Sequence, residues 1–127
     1  MIPKFRAYDS SSLSRMYQPD EVMVGNGDIW IIDEDDVAGE WIVNNDIHLM
    51  QSTGLKDKNG KEIFEGDILK SNKYITSVFY EKGAYCVKFR RNANAMVTMN
   101  AISFIEKFKT RIVGNIYENP ELLEVED

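Results

Sequence analysis

Between Leu49 and Leu69 glycine stands at positions 54, 60 and 66, and the stretches it separates are long enough only for strands and turns. Asp57-Lys58-Asn59-Gly60 forms a tight turn between Leu55 and Ile63-Phe64, and Gly66-Asp67-Ile68-Leu69-Lys70 opens a further strand. Glycine adopts positive φ without a steric cost, and Asp and Asn side chains bond nearby backbone groups, so this composition forces the chain to reverse direction repeatedly. Asp67, directly after Gly66, is placed to accept local N–H groups and set up the strand that follows. The block reads as scaffold rather than chemistry.

The same alternation runs through the rest of the chain. Lys4-Phe5-Arg6-Ala7-Tyr8 reads as a short strand, and Ser10 to Pro19 as a polar loop. Glu21-Val22-Met23-Val24 and Ile29-Trp30-Ile31-Ile32 flank Gly25-Asn26-Gly27-Asp28, which predicts a hairpin. Trp41-Ile42-Val43 is a third short apolar run, ended by Asn44-Asn45-Asp46. The clearest hairpin joins Tyr74–Tyr80 to Tyr85–Phe89 through Glu81-Lys82-Gly83-Ala84, because both arms are rich in aromatic and β-branched residues. Ile102, Ile105 and Phe108 recur at a spacing that fits a short helix over 100–107. Arg111–Tyr117 returns to strand character, and Asn119-Pro120 starts a final turn or short helix. These elements predict a mainly β fold, a barrel or sandwich with one or two small helices.

A chain of 127 residues fits a single domain over 1–127 with a core of its own. One cysteine excludes an internal disulfide and makes a reducing cytoplasm the expected compartment. No apolar run reaches a membrane span, and Met1–Asp9 lacks the apolar segment of a secretion signal. The charge of −6 is unevenly spread: residues 1–50 carry three basic residues against ten acids, residues 51–117 twelve against six, and residues 118–127 five acids and no base. Complementary charge between the acidic first part and the basic middle offers a basis for head-to-tail self-association.

Several residues invite chemistry and are weighed against plainer roles. Asp57–Glu62 resembles half a calcium loop, but a third oxygen ligand before its glycine and the bidentate glutamate six residues after it are both missing. The run Asp33-Glu34-Asp35-Asp36 with Glu40 has carboxylates for Mg²⁺ or Ca²⁺, yet adjacent acids on one loop ordinarily stay solvated. His48 is the sole histidine and lies between Ile47 and Leu49, which favours a packed or surface ring over a base. Cys86, beside Val87 in a predicted strand, reads as a buried inert thiol, although Lys88 and Arg90 offer the positive charge that activates an exposed one. Phosphate loops, dinucleotide fingerprints, paired CxxC and nucleophile elbows do not occur. No catalytic, cofactor-binding or metal-binding residue is therefore assigned.

Leu49 to Leu69 resembles the signature of the YopX-like proteins of phages and prophages. Lys4-Phe5-Arg6-Ala7-Tyr8-Asp9 is similar to the family's opening strand, and Val113–Leu123 to its closing Gly-Asn-Ile-Tyr-Glu-Asn-Pro stretch. The resemblance implies a short-stranded β fold with an SH3-like barrel in the C-terminal half, a phage or prophage origin and self-association. It supplies no catalytic residue. The division it implies is an acidic β-rich part over 1–50 and a barrel part over 51–127 of one domain.

The leading functional expectation is a cytoplasmic, non-enzymatic accessory protein that associates with itself and with a host or phage protein. Trp30, Trp41, Tyr74, Phe79, Tyr80 and Tyr85 supply candidate anchors. The alternative is a nucleic-acid-binding β module using Lys88, Phe89, Arg90 and Arg91, joined by Lys70, Lys73, Lys107, Lys109 and Arg111, against which the sequence pI of 4.8 argues. A metal-dependent hydrolase using the acidic loop and His48 is the most remote expectation.

Overall fold

The computed structural model describes residues 3–11, 13–33 and 39–124. The fold is mainly β with few helices, as the turn-rich sequence requires. The chain divides into two compact units, Met1–Gln51 and Ser52–Asp127.

In the first unit, β1 (Phe5–Asp9) pairs antiparallel with β2 (Arg15–Tyr17) and with the first half of β6 (His48–Lys56), placing Ala7 opposite both Tyr17 and Leu49. β3 (Val22–Gly25), β4 (Asp28–Ile32) and β5 (Trp41–Val43) form a separate antiparallel sheet in that order. The predicted hairpin turn is present, with Asn26 and Gly27 both at positive φ (54° and 80°), as a two-residue turn between twisted strands demands. Ala7, Tyr17, Val22, Ile31 and Ile47 form the core of this unit.

β2 lies where a loop was expected. Three residues are too few to show a period, and what holds them is tertiary. The Arg15 guanidinium sits 4.3 Å from the centre of the Tyr17 ring and forms a 2.6 Å ion pair with Glu21. Glu21 in turn accepts the Gln18 N–H, bracing the short 3-10 turn Pro19–Glu21.

In the second unit, β7 (Glu62–Phe64) pairs with the second half of β6, and a curled sheet follows in the order β11-β10-β9-β8-β12. Its strands are β8 (Asp67–Lys70), β9 (Ile75–Glu81), β10 (Ala84–Asn92), β11 (Ala95–Asn100) and β12 (Arg111–Asn115). α1 (Ala101–Phe108) begins at Asn100, whose Oδ1 accepts the Ile102 N–H at 2.9 Å, and ends at Lys109 in the left-handed conformation. The helix packs against β10 and β11, and Ala101 and Phe104 join Ile63, Leu69, Val78, Val87 and Phe89 in one core.

Two expectations need correction here. The buried stripe of α1 is Ala101, Phe104, Ile105 and Phe108, whereas Ile102, read as part of that stripe, is 48% exposed. Strand β11 has no counterpart among the sequence expectations, although its Ala-Met-Val-Thr-Met-Asn alternates half-buried with exposed positions.

The punctuation of the central block has specific work. Asp57 is buried; its Oδ1 accepts the N–H groups of Asn59 and Lys61, both at 2.9 Å, and its Oδ2 accepts that of Ile112 at 3.0 Å. The carboxylate that superficially suggested a calcium loop is spent on three backbone donors. Gly66, at φ 88°, donates to Val78 O, while its own carbonyl accepts Ile116 N–H. Asp67 accepts the Phe64 N–H at 2.7 Å, as the sequence led us to expect.

The closing stretch is a second hub. Asn115 Oδ1 accepts the N–H groups of Tyr117 and Glu118, and Asn115 N–H donates to Asn119 Oδ1 at 3.2 Å. A Cβ on Gly114 would stand 2.5 Å from that same Asn119 oxygen, which cannot withdraw without losing Asn115. Gly114→Ala is expected to destabilise by about 1–3 kcal/mol, read as a lower urea midpoint at unchanged slope; an unchanged midpoint would show that the turn adapts freely.

Candidate interaction surfaces

The three-stranded sheet of the first unit has two unlike faces. Val22 and Ile31 point into the core. Directly opposite residues share a face, so the pairings Met23 with Trp30 and Trp30 with Val43 place these three in one cross-strand row on the other side. Trp41, two residues before Val43 on β5, extends the same face, whereas its partner Ile32 packs against the core. Met23 is 45% and Val43 44% exposed, and the two tryptophans are half-buried. Trp30 Nε1 donates to Gly25 O at 3.4 Å, which fixes the ring while leaving its apolar body on the surface.

Two grooves meet at Met23 and Val24. One, of 320 Å³, is lined by these two with Gly25, Asn26, Trp30 and Trp41. The other, of 720 Å³, runs past Phe5, Val22 and the prolines at 3 and 19, with Lys4 and Asp20 at its polar margin.

In the second unit a groove of 560 Å³ opens over β9 and β10, lined by residues that include Ile75, Ser77, Lys88, Arg90, Met96 and Leu123. The ladder between these strands runs from Glu81/Ala84 to Val78/Val87. Beyond it the Thr76 hydroxyl takes over, donating to Lys88 O at 2.7 Å and accepting Lys88 N–H at 3.2 Å.

The structure redistributes the basic residues that the sequence groups together. Strand alternation places Lys88 and Arg90 on the open face, while Phe89 is buried in the core. Arg91 falls in the register shift between Arg90 and Asn92. Lys70 lies opposite both Arg111 and Ile75, so Arg111 and Lys70 continue the row that reaches the groove. Lys107 and Lys109 belong instead to the end of α1, and Lys73 stands over the Tyr74 ring at 5.5 Å.

Of the candidate aromatic anchors, Tyr80 is 55% exposed and forms an edge-on pair with Tyr85 at 5.2 Å. Burial pushes the Tyr85 hydroxyl above its ordinary pKa, with Glu65 and Tyr80 acting in the same direction. Tyr74 is committed to packing, 4.4 Å from the Phe89 ring centre and 5.2 Å from that of Phe108. Phe79 is half-buried.

Cys86 is half-buried rather than buried, because its strand position faces the open side of the sheet; its thiol is directed to Ala84 O at 3.8 Å. His48 Nε2 lies 3.1 Å from Ser10 Oγ, a pairing of a hydroxyl with an imidazole that the sequence, with the two 38 positions apart, does not disclose. Ser11 N–H, the adjacent backbone donor, is occupied by Asp9 Oδ1 at 2.9 Å. That side-chain and backbone bonding to Ser11, helped by His48, holds the Asp9 carboxyl below its usual range despite slight desolvation. The three grooves over the two sheets do not reach this pair. Of the acidic run, Glu34, Asp35 and Asp36 lie outside the described residues; Asp33 N–H donates to Glu40 O at 2.7 Å. Among the described residues no group of three or more His, Cys, Asp or Glu is placed to share a metal.

The model of one protein family, described as YopX protein, matches residues 4–124. The chain belongs to the YopX family. Among solved structures, the crystal structure of protein EF1440 from Enterococcus faecalis is similar, with 30% sequence identity and a TM-score of 0.61, covering 97% of this chain and 99% of that one. No curated protein matches. The matched span takes in the opening strand, the Asp57–Asp67 block and the Asn115 hub. Among the described residues of this YopX protein, no helix is long and apolar enough to cross a membrane.

Proposed function

We propose that this YopX protein is a non-enzymatic, self-associating protein-interaction module, acting as a phage or prophage accessory protein in the host cytoplasm. The observation that carries the reading is the apolar row Met23–Trp30–Val43 on the outer side of the first unit's sheet. Exposed apolar surface at this concentration marks an association site, and tryptophans with a fixed ring are favoured anchors. β5, at the edge of this sheet, carries no charged side chain that would repel a partner. A host or phage protein would use the same face.

Light scattering after size exclusion tests this. The wild-type chain is expected to run as an oligomer, and the double variant Met23→Lys, Val43→Lys to associate at least about 10-fold more weakly, since a hot-spot truncation costs about 2 kcal/mol or more. Both positions are half-exposed, so the fold should survive, which circular dichroism would verify. A wild-type monomer at every concentration, in low and high salt, would overturn the reading. High salt weakens a charge-driven contact and spares an apolar one, so the same experiment separates this face from head-to-tail charge pairing.

The alternative, a nucleic-acid module on the basic middle segment, has less behind it. The cations are divided over three places, and Phe89, its central aromatic, is buried and offers no surface on which a base can stack.

A further inference from the structure

We infer that the groove over β9 and β10 is a binding site for an extended acidic peptide that carries aliphatic residues beside its carboxylates. The inference concerns the second unit and stands apart from the self-association face of the first.

Three observations converge. Ile75, Met96 and Leu123 give the groove its aliphatic lining, and the two rings that also line it are committed to packing: Phe89 is buried, and Tyr74 stands 4.4 Å from it, centre to centre. Lys88 and Arg90 stand exposed on the same wall, and the Lys70–Arg111 pair extends positive charge across the sheet from Ile75. Opposite β10, their cross-strand neighbours on β11 are Thr98 and Met96, neither of them an acid that would neutralise the pair. Arg90 is pre-positioned by donating to Ala93 O at 3.1 Å, which leaves further guanidinium donors for a carboxylate.

The shape follows from the sheet. β9 and β10 are joined by backbone pairing only as far as Val78 and Val87, and past that point the Thr76 hydroxyl bridges to Lys88. A volume of 560 Å³ exceeds what a single small anion fills and suits several residues of extended chain, with apolar side chains set down between β9 and Leu123 and carboxylates turned to Lys88 and Arg90. A nucleic-acid strand fits less well, because the Tyr74 and Phe89 rings are engaged with each other and with the core, and a strand would need a longer track of cations.

Fluorescence anisotropy decides the matter with three labelled probes: a peptide with the sequence of residues 31–37, Ile-Ile-Asp-Glu-Asp-Asp-Val; its neutral analogue with Asn and Gln for the acids; and oligo-dT of twelve nucleotides. The acidic peptide should bind the full-length protein, the neutral analogue at least about 10-fold more weakly, and the oligonucleotide more weakly than the acidic peptide. Lys88→Glu with Arg90→Glu should abolish peptide binding, Lys88→Arg with Arg90→Lys should retain it, and Met96→Asp should weaken it with the cations intact. All these positions are exposed, so the fold is not at risk. Absent peptide binding, binding indifferent to the charge reversal, or tighter binding of oligo-dT would each overturn the inference. Loss of self-association in the Met23 and Val43 variants leaves this test unaffected, so the two readings fail separately.

Discussion

Asp57→Asn is expected to lower the stability of the second unit by about 3 kcal/mol, and Asp57→Ala by somewhat more. Asparagine keeps one acceptor oxygen, sufficient for Asn59 and Lys61, but presents an N–H₂ group to the Ile112 N–H, which then has no acceptor. A buried donor left without a partner costs about 1–3 kcal/mol, and the loss of charge weakens the bonds that remain. In a unit of this size the melting temperature should fall by roughly 10 °C or more. The carboxylate also makes stability depend on acid. Burial pushes its pKa up, but the N–H groups of Ile112, Lys61 and Asn59, with the Lys61 charge, pull harder and leave it below the ordinary 3.8. The unfolded chain therefore takes up the proton first as pH falls. The contribution is complete above the unfolded value, and it declines from there down through the folded one. Urea midpoints measured between neutral pH and pH 3 should show this decline in the wild type, with a shallower slope in Asp57→Asn. Equal slopes would mean that other carboxylates govern the acid limb.

Phe104→Ala should be the costliest single truncation in the chain, about 4 kcal/mol. The ring is fully buried, 5.2 Å from the Phe89 centroid and 5.0 Å from that of Phe108. Removing it takes away transfer energy and leaves a void that β10 and α1 can close only by separating from their other neighbours. The control is Ile102→Ala two residues earlier, expected to change stability by less than about 0.5 kcal/mol because that side chain faces solvent. A urea series on both variants checks the helix register directly; comparable costs would mean that α1 is rotated from the orientation described.

How much of this was legible follows from where each signal resides. The hairpin at Gly25–Asp28 was readable because its turn needs residues that tolerate positive φ, and few types do, while that at Lys82-Gly83 was readable from the aromatic and β-branched residues of its two arms. The role of Asp67 was readable for the same local reason. The Ile112 bond to Asp57 was not, since it joins residues 55 apart and depends on which strands become neighbours. β2 escaped because a three-residue strand has no period, and the helix stripe was misplaced because Ala101, small but buried, carries little hydrophobic signal. The interaction faces divide similarly. The tryptophans were visible as an excess of aromatics, yet only the register Met23–Trp30–Val43 shows that they share a face. The basic run 88–91 looked continuous in sequence, and the two-residue repeat of a strand separates it into a core ring, a bulge residue and two groove cations.

The placing of β8 has a consequence for how the chain is made. One of its edges is covered by β9, which follows within a few residues, and the other by β12, whose Arg111 meets Lys70 only after the hairpin, β11 and α1 have been laid down. On a ribosome the N-terminal unit has all its strands well before this happens, while β8 waits with an open edge of buried-type residues, Ile68 and Leu69, until the last strand emerges. The long Asp57–Ile112 bond closes at that same moment, so backbone zippering and the burial of a carboxylate fall in one late step. However early the central block is made, the sheet of the second unit cannot be completed before β12 has been synthesised.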